Sequence, residues 1–529
     1  MDNQLTETQR KILFWASFLA LMAPGVGFGI RVMSIGSWMD EFSISGAEAG
    51  GLFGASLWPI AIGMILFSMV VDKIGYKASM LIAFASLAIS SIWTIFAQDL
   101  QTLTLTFLLG AFGHGVVEAC INPLCATMYK SQKSKMLNIL HASWPAGIVV
   151  GASLALTLTT GENATLAWRD MFWFVLIPVL AFGVMFIISH KYPQDERVEA
   201  NVSYADMFRE FGGLGIFLAV TFLFYEIVGQ LIGYGVIAEP GEALTENRIY
   251  TSIIVGAVVG LASGIALKSA GKILFFILCI IMIPLATAEI ATDGWIQKLM
   301  QPVIARDYGF NSGWAIVLSS LIMMTLRFFA GVPLKYLSPP AVLMVSSVFS
   351  IVGLLLLSGA SGFMIFLAFI LYGVGQTFYW PTVLGFTAEQ FPKGGAMTLN
   401  TVSAMGLLTV GIFGMPFLGA VGDNFDAQIV KEKQPIVYEA QKAPANFFFW
   451  NYEKVDMAGV KSDLDFPENA EEQTEEQAKF ASEVDQNGRK VLKVAALLPA
   501  IMGVAFLLII FFYKSRGGYK PVVLESSWE

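Results

Sequence analysis

Between residues 114 and 122 the chain places His114, Glu118 and Asn122 four residues apart, so a helix would line them up on one face as a base, an acid and an amide. The surrounding run, 101–128, is mostly apolar. A charge at the centre of a membrane helix costs about 2.5–3.5 kcal/mol on insertion scales, so such a carboxyl faces a cavity or a partner rather than lipid. Its natural chemistry is uptake and release of a proton. His114 either tunes Glu118 or fills space with one ring nitrogen bonded to backbone.

A second set carries fixed charge. Arg31 follows Gly25, Gly27 and Gly29 in the first apolar run, where the glycines permit a bend, and Glu289, Asp293 and Gln297 share one face of a later run. Two readings stand: Arg31 bridges Glu289 or Asp293 as a gate, or its planar fork holds an anionic group of a ligand. Asn138, His141 and Trp144 in one run, with Gln376 and Trp380 in another, offer donors, acceptors and flat faces to a polar organic solute, or else pack helices. Arg327 is expected in an inner gate. Glu226 is an intramembrane acid without an assignable role, expected to be buried against the core. With only three histidines, no nucleophile–base pair or metal-ligand cluster emerges, so neither enzyme chemistry nor a metal or cofactor is expected.

The elements that must hold these residues follow from composition. The chain has 529 residues, 56% hydrophobic and 14% charged, with mean hydropathy +0.67, and a soluble protein could not cover itself with so few polar residues. Apolar runs of about 20 residues match a helix crossing the bilayer, where backbone groups must be satisfied within the segment. Hydropathy places spans near 12–36, 50–71, 78–97, 101–128, 136–159 and 168–189, then 212–237 and 250–267, then 273–298, 313–335, 340–358, 361–387, 397–421 and 490–513. That is an all-α membrane protein of about fourteen helices. Cys120, Cys125 and Cys279 lie inside these runs, so they report no redox compartment. The first run is too long for a cleavable leader. Lys73, Lys77, Lys130, Lys133, Lys135, Lys191, Lys268, Lys272, Lys335, Lys393, Lys514 and Arg516 fall on one side, which predicts cytoplasmic termini and an inner-membrane location; Lys298 and Arg306 are exceptions. The charge of −8 gives no hint of nucleic-acid binding.

The sequence also repeats. Asn122-Pro123 answers to Trp380-Pro381, Leu137-Asn138 to Leu399-Asn400, and Asp72 to Lys335, all at offsets near 260. Two pseudo-symmetric six-helix halves follow, over 1–190 and 271–529, with a linker and inserted hairpin at 191–270. Such halves place a site at their interface near the midplane. Gly256, Gly260 and Gly264, with Gly229 and Gly233, predict that the inserted pair packs on itself. Residues 422–489 form an acidic extracytoplasmic loop containing Phe447-Phe448-Phe449-Trp450, expected as a small helical cap over the exit or as a docking or screening module.

The loop Asp72-Lys73-Ile74-Gly75-Tyr76-Lys77 resembles the signature between the second and third spans of the major facilitator superfamily, where Asp72 would serve gating. Gly113-His114-Gly115-Val116-Val117-Glu118 leading to Asn122-Pro123, followed by Leu137-Asn138 and His141, resembles the fucose–proton symporter branch. Phe328-Phe329-Ala330-Gly331 and Trp380-Pro381 are similar to an uncharacterised bacterial group near it. The resemblance implies a major-facilitator fold and a monomeric, proton-coupled importer of a sugar or sugar derivative, with Glu118 as coupling site. Arg31 stands where that branch has an aspartate, which keeps open a sugar-acid carrier with Arg31 on the carboxylate. A drug exporter and a non-transporting receptor are the remaining readings: the buried polar groups oppose the first, the short loops the second.

Overall fold

The computed structural model describes residues 5–44, 46–159, 164–233, 243–309, 311–467 and 472–524. Gln297, Lys298 and Arg306 have side chains outside the described set. Among the described residues twelve helices are long and apolar enough to cross a membrane. One of them, Ala49–Phe96, is two spans joined end to end, since Gly75 breaks it with a φ of +83°. Ile60 and Gly63 on one limb, and Ser86, Leu87 and Ser90 on the other, pack against the same stretch of the next helix, residues 106–115. The chain therefore reverses at Gly75, a left-handed position that a side chain would strain. Counting both limbs and the shorter apolar helix Gly313–Phe328 gives the fourteen expected.

We label these α1 (Glu7–Phe42), α2 and α3 (limbs 58–74 and 76–96), α4 (Leu100–Met128), α5 (Lys130–Leu158), α6 (Trp168–Ile188), α7 (Tyr204–Gly233), α8 (Arg248–Leu267), α9 (Ile273–Ile296), α10 (Gly313–Phe328), α11 (Pro339–Leu357), α12 (Met364–Gln390), α13 (Pro392–Lys433) and α14 (Glu475–Lys514). Helix starts are fixed by local chemistry. Thr6 and Gln9 form a capping box on α1, and Asp99 accepts from the Thr102 amide at 2.7 Å to cap α4.

Six helices make each half, and α7 and α8 are inserted between the halves. The repeat is visible as reciprocal bonding across the interface. Asn138 donates to Thr382 Oγ1 at 3.1 Å, from the first half to the second. Its repeat partner Asn400 donates to Ser68 Oγ and to the Ala119 carbonyl, both at 2.9 Å, from the second half to the first. Both chain ends lie on one face, which we call the terminal face: Arg10 sits over Tyr129 and Tyr513 donates to Gln390.

The glycines of α1 carry close approach rather than a bend. A Cβ on Gly29 would lie 2.7 Å from the Ala152 amide of α5, and one on Gly25 2.6 Å from the Trp144 carbonyl. Gly29→Val should therefore cost about 1–3 kcal/mol by overpacking, read as a lower unfolding temperature. Gly36→Ala, where a Cβ meets nothing within 4 Å, should leave that temperature unchanged. In the inserted pair, Gly256, Gly260 and Gly264 do face α7, but their partners are Thr221, Phe217 and Gly213. Gly229 meets Arg248 instead, and Gly233 nothing within 4 Å.

The acidic segment folds into a cap on the far face, extending α13 and α14. It has its own small core of Ile429, Val430, Tyr438, Val460 and Phe480. Helices alone were expected here, yet it contains an antiparallel hairpin, β1 (Lys442–Phe447) and β2 (Trp450–Val455), with Phe447 paired to Trp450 at the turn.

Candidate functional site

Between the two halves lies a cavity to which both contribute. Phe28 of α1, Ile60 of α2, His114 and Glu118 of α4, and His141 and Trp144 of α5 line one side. Glu289 and Ile290 of α9, Arg327 of α10, Trp380 of α12, and Leu407 and Val410 of α13 line the other. Two of these walls depart from regular α-helix. Thr287–Ala291 and Val410–Gly414 are π-helical turns that pack on each other, Gly414 lying against Thr287 and Ala291. Such turns shift the side chains that follow, and they bring Glu289 and Val410 to the cavity.

The polar residues form one chain of contacts. Asn122 donates to Glu118 Oε2 at 2.7 Å and lies 2.9 Å, through Oδ1, from His141 Nε2. Oδ1 can only accept, so the His141 proton on that nitrogen points at Asn122. The His141 carbonyl then accepts from Arg327 Nη1 at 3.0 Å, crossing between halves. Arg327 completes the run by donating to Glu289 Oε1 at 2.9 Å and to the Thr377 carbonyl at 2.7 Å. His114 stacks on Trp144, ring centroids 5.2 Å apart, with Nε2 3.8 Å from Glu118 Oε1. Glu118 thus has no fixed cation within ion-pair distance among the described residues.

In this conformation Arg31 does not meet the acids expected to face it. Its guanidinium lies 5.6 Å over Phe107, within the first half, with Nε buried and unpartnered. The ion pair with Glu289 belongs to Arg327. The repeat offset failed here because it matches chain positions, while α1 turns residue 31 toward α4 and α6. Arg327, expected near the terminal-face gate, lines the cavity itself. Asp293 sits behind this wall, 3.3 Å from Gln376 Nε2, which also donates to Ser319 Oγ at 2.9 Å. The Trp380 indole donates to Ser403 Oγ at 3.0 Å while its ring faces the cavity. Asn138 lies outside the lining, where it bonds Thr382 across the interface. Glu226 bonds Gln230 at 2.8 Å within α7.

The cavity is closed toward the terminal face. Lys133 donates to the Ala388 carbonyl at 3.2 Å, Ser134 bonds Glu389, and Tyr519 donates to Glu389 at 2.6 Å. Alongside, Asp72 pairs with Arg197 from the loop after α6. Asp195 in that loop accepts from the Arg197 amide at 2.9 Å and lies against Gly395 of α13. Burial, and then the charge of Asp72, push the Asp195 carboxyl up to about 7 from an ordinary 3.8, against the pull of Arg197. Between those values the folded protein keeps a proton that the unfolded chain has lost, so this group favours folding in acid and the contribution fades as pH rises to about 7. The unfolding temperature should fall from pH 5 to pH 8 in the wild type, and fall less in Asp195→Asn.

Sequence reading missed Phe28, Ser319, Thr382 and Ser403. Serine, threonine and phenylalanine are too common in membrane helices to stand out.

The geometry can be set beside known proteins. The cis,cis-muconate transport protein of Acinetobacter baylyi is 28% identical over 176 residues, 33% of this chain and 42% of that one. The 3-(3-hydroxy-phenyl)propionate transporter of Escherichia coli is 24% identical over 169 residues, 31% and 41%. The matches span about two fifths of those relatives' length. Among solved structures, the proton:xylose symporter XylE superposes with TM-score 0.61 at 14% identity, covering 99% of this chain and 100% of that one. The symporter FucP in its outward conformation gives 0.56 at 12% identity, covering 94% and 99%. These likenesses speak for the fold. A sequence profile described as Major Facilitator Superfamily matches residues 13–296, which is 284 of 529 positions. With fourteen apolar helices or helix limbs among the described residues, two facing halves and a cavity between them, this chain belongs to the major facilitator superfamily: it is a membrane transporter and not an enzyme.

Proposed function

We propose that the protein is a proton-coupled carrier of a small organic anion, a compact carboxylate with a flat or unsaturated body, working by alternating access. The observation that carries this reading is the buried pair of Arg327 and Glu289 in the second half, joined across the interface through His141 and Asn122 to Glu118, which has no fixed cation beside it. The coupling proton is held at Glu118, and a substrate carboxylate shares the donors of Arg327 with Glu289. The cation stays paired throughout, which a buried guanidinium requires. Trp144, Trp380 and Phe28 offer flat apolar faces to the rest of the solute. The relatives named for muconate and hydroxyphenylpropionate support the same class. A monoanion entering with one proton is electroneutral, so each pH unit supplies about 1.4 kcal/mol. Import with cytoplasmic termini in an inner membrane fits the lysine-rich terminal face.

One observation favours the sugar reading. His114 Nε2 and Glu289 Oε2 line the cavity without a hydrogen-bond partner and could meet hydroxyls. Thermal-shift titration of the purified protein separates the two at pH 5.5 and 7.5. The carboxylate account expects stabilisation by cis,cis-muconate or 3-(3-hydroxyphenyl)propionate, stronger at the lower pH, and none by xylose or fucose. Stabilisation by the neutral sugars alone would replace it with the second reading.

A further inference from the structure

At the turn between β1 and β2, Phe448 has a φ of +52°. Glycine, asparagine and aspartate are the usual residues in such turns, because a side chain strains a left-handed backbone. A phenylalanine held there points to work done by its ring. That ring stacks on Tyr225 of α7, centroids 6.0 Å apart and planes 17° from parallel. Tyr225 also carries the Arg248 guanidinium of α8, 3.8 Å from its centroid, and the buried Arg248 Nε has no hydrogen-bond partner. Beside this stack, Phe447 packs on Phe413 and Phe417 of α13 at 5.6 and 5.9 Å, and Phe449 lies 6.3 Å from Tyr250 of α8. Rings of the cap thus touch both inserted helices and α13.

The position matters as much as the contacts. Tyr225 and Phe448 pack on an apolar cluster in which Ile60 and Met64 of α2 meet Ala404 and Leu408 of α13. That cluster is the seam between the two halves on the cavity's flank. We propose that the Arg248–Tyr225–Phe448 stack is a rivet which binds the cap and the inserted helix pair into one accessory body laid over this seam. Phe222, Leu223 and Tyr225 of the pair pack on that cluster, and the cap tip adds Phe448 to the same patch. The role is independent of which solute the cavity takes.

Hydrogen exchange on the full-length protein in nanodiscs tests the rivet through Phe448→Ala and the ring-preserving Phe448→Tyr. The expected result is exchange faster by about tenfold in residues 222–233 and 442–455 of Phe448→Ala. Residues 106–118 should stay unchanged, and Phe448→Tyr should match the wild type. Unchanged exchange in both segments would overturn the proposal. So would a rise shared equally by 106–118, since that reports general loosening rather than loss of a specific tie.

Discussion

Replacing Glu118 by glutamine is expected to reduce proton-driven accumulation to the level of empty liposomes while leaving counterflow exchange near its wild-type rate. Glutamine keeps the length of the side chain and an oxygen that can accept from Asn122, so the 2.7 Å bond and the cavity wall persist. What is lost is the group that takes up and releases the proton. Exchange moves solute in both directions on a carrier that need not change its protonation, so it survives. Uptake that still follows the pH gradient in Glu118→Gln would place the coupling proton elsewhere, with His141 and Glu289 next in the chain of contacts.

The second large effect is expected at Arg327. Removing one partner of a buried ion pair strands the other, at about 3–5 kcal/mol. Here two carbonyls, of His141 and Thr377, lose their donor as well, at about 1–3 kcal/mol each. Arg327→Gln should therefore lower the unfolding temperature markedly and abolish transport. Adding Glu289→Gln removes the stranded charge and should restore much of the stability, while transport stays absent because no cation remains for the solute. Unfolding temperatures of the two single variants and the double variant, combined with counterflow, separate these effects. An Arg327→Gln protein as stable as the wild type, or a double variant that still transports, would contradict the arrangement described.

Much of this architecture is written in the sequence because lipid imposes a simple rule: runs of apolar residues must be helices, and a charge within one needs a partner. That rule placed fourteen spans and singled out Glu118, and four-residue spacing put Asn122 on its face; that His141 meets Asn122 only the structure shows. It could not say which cation meets which acid. Arg31 and Arg327 look alike in one dimension, and only the rotation of α1 and α10 about their axes decides that Arg327 reaches Glu289. The π-helical turns at Thr287–Ala291 and Val410–Gly414 add a residue to a helical turn, and no local composition marks them. The hairpin in the cap went unseen for the opposite reason. Its turn lacks the Asn-Gly signal that usually announces one, because the residues there are chosen for what they touch.

The central claim is that an organic anion and protons cross together through the Glu118–Arg327 site. Purified protein in liposomes containing a pH-sensitive dye tests it, with protein-free liposomes as the control for passive leak of weak acid. An inward pulse of cis,cis-muconate or 3-(3-hydroxyphenyl)propionate should acidify the lumen in the wild type, a pulse of xylose should not, and Glu118→Gln should abolish the signal. Acidification driven by xylose and by neither carboxylate, or an undiminished signal in Glu118→Gln, would contradict the account.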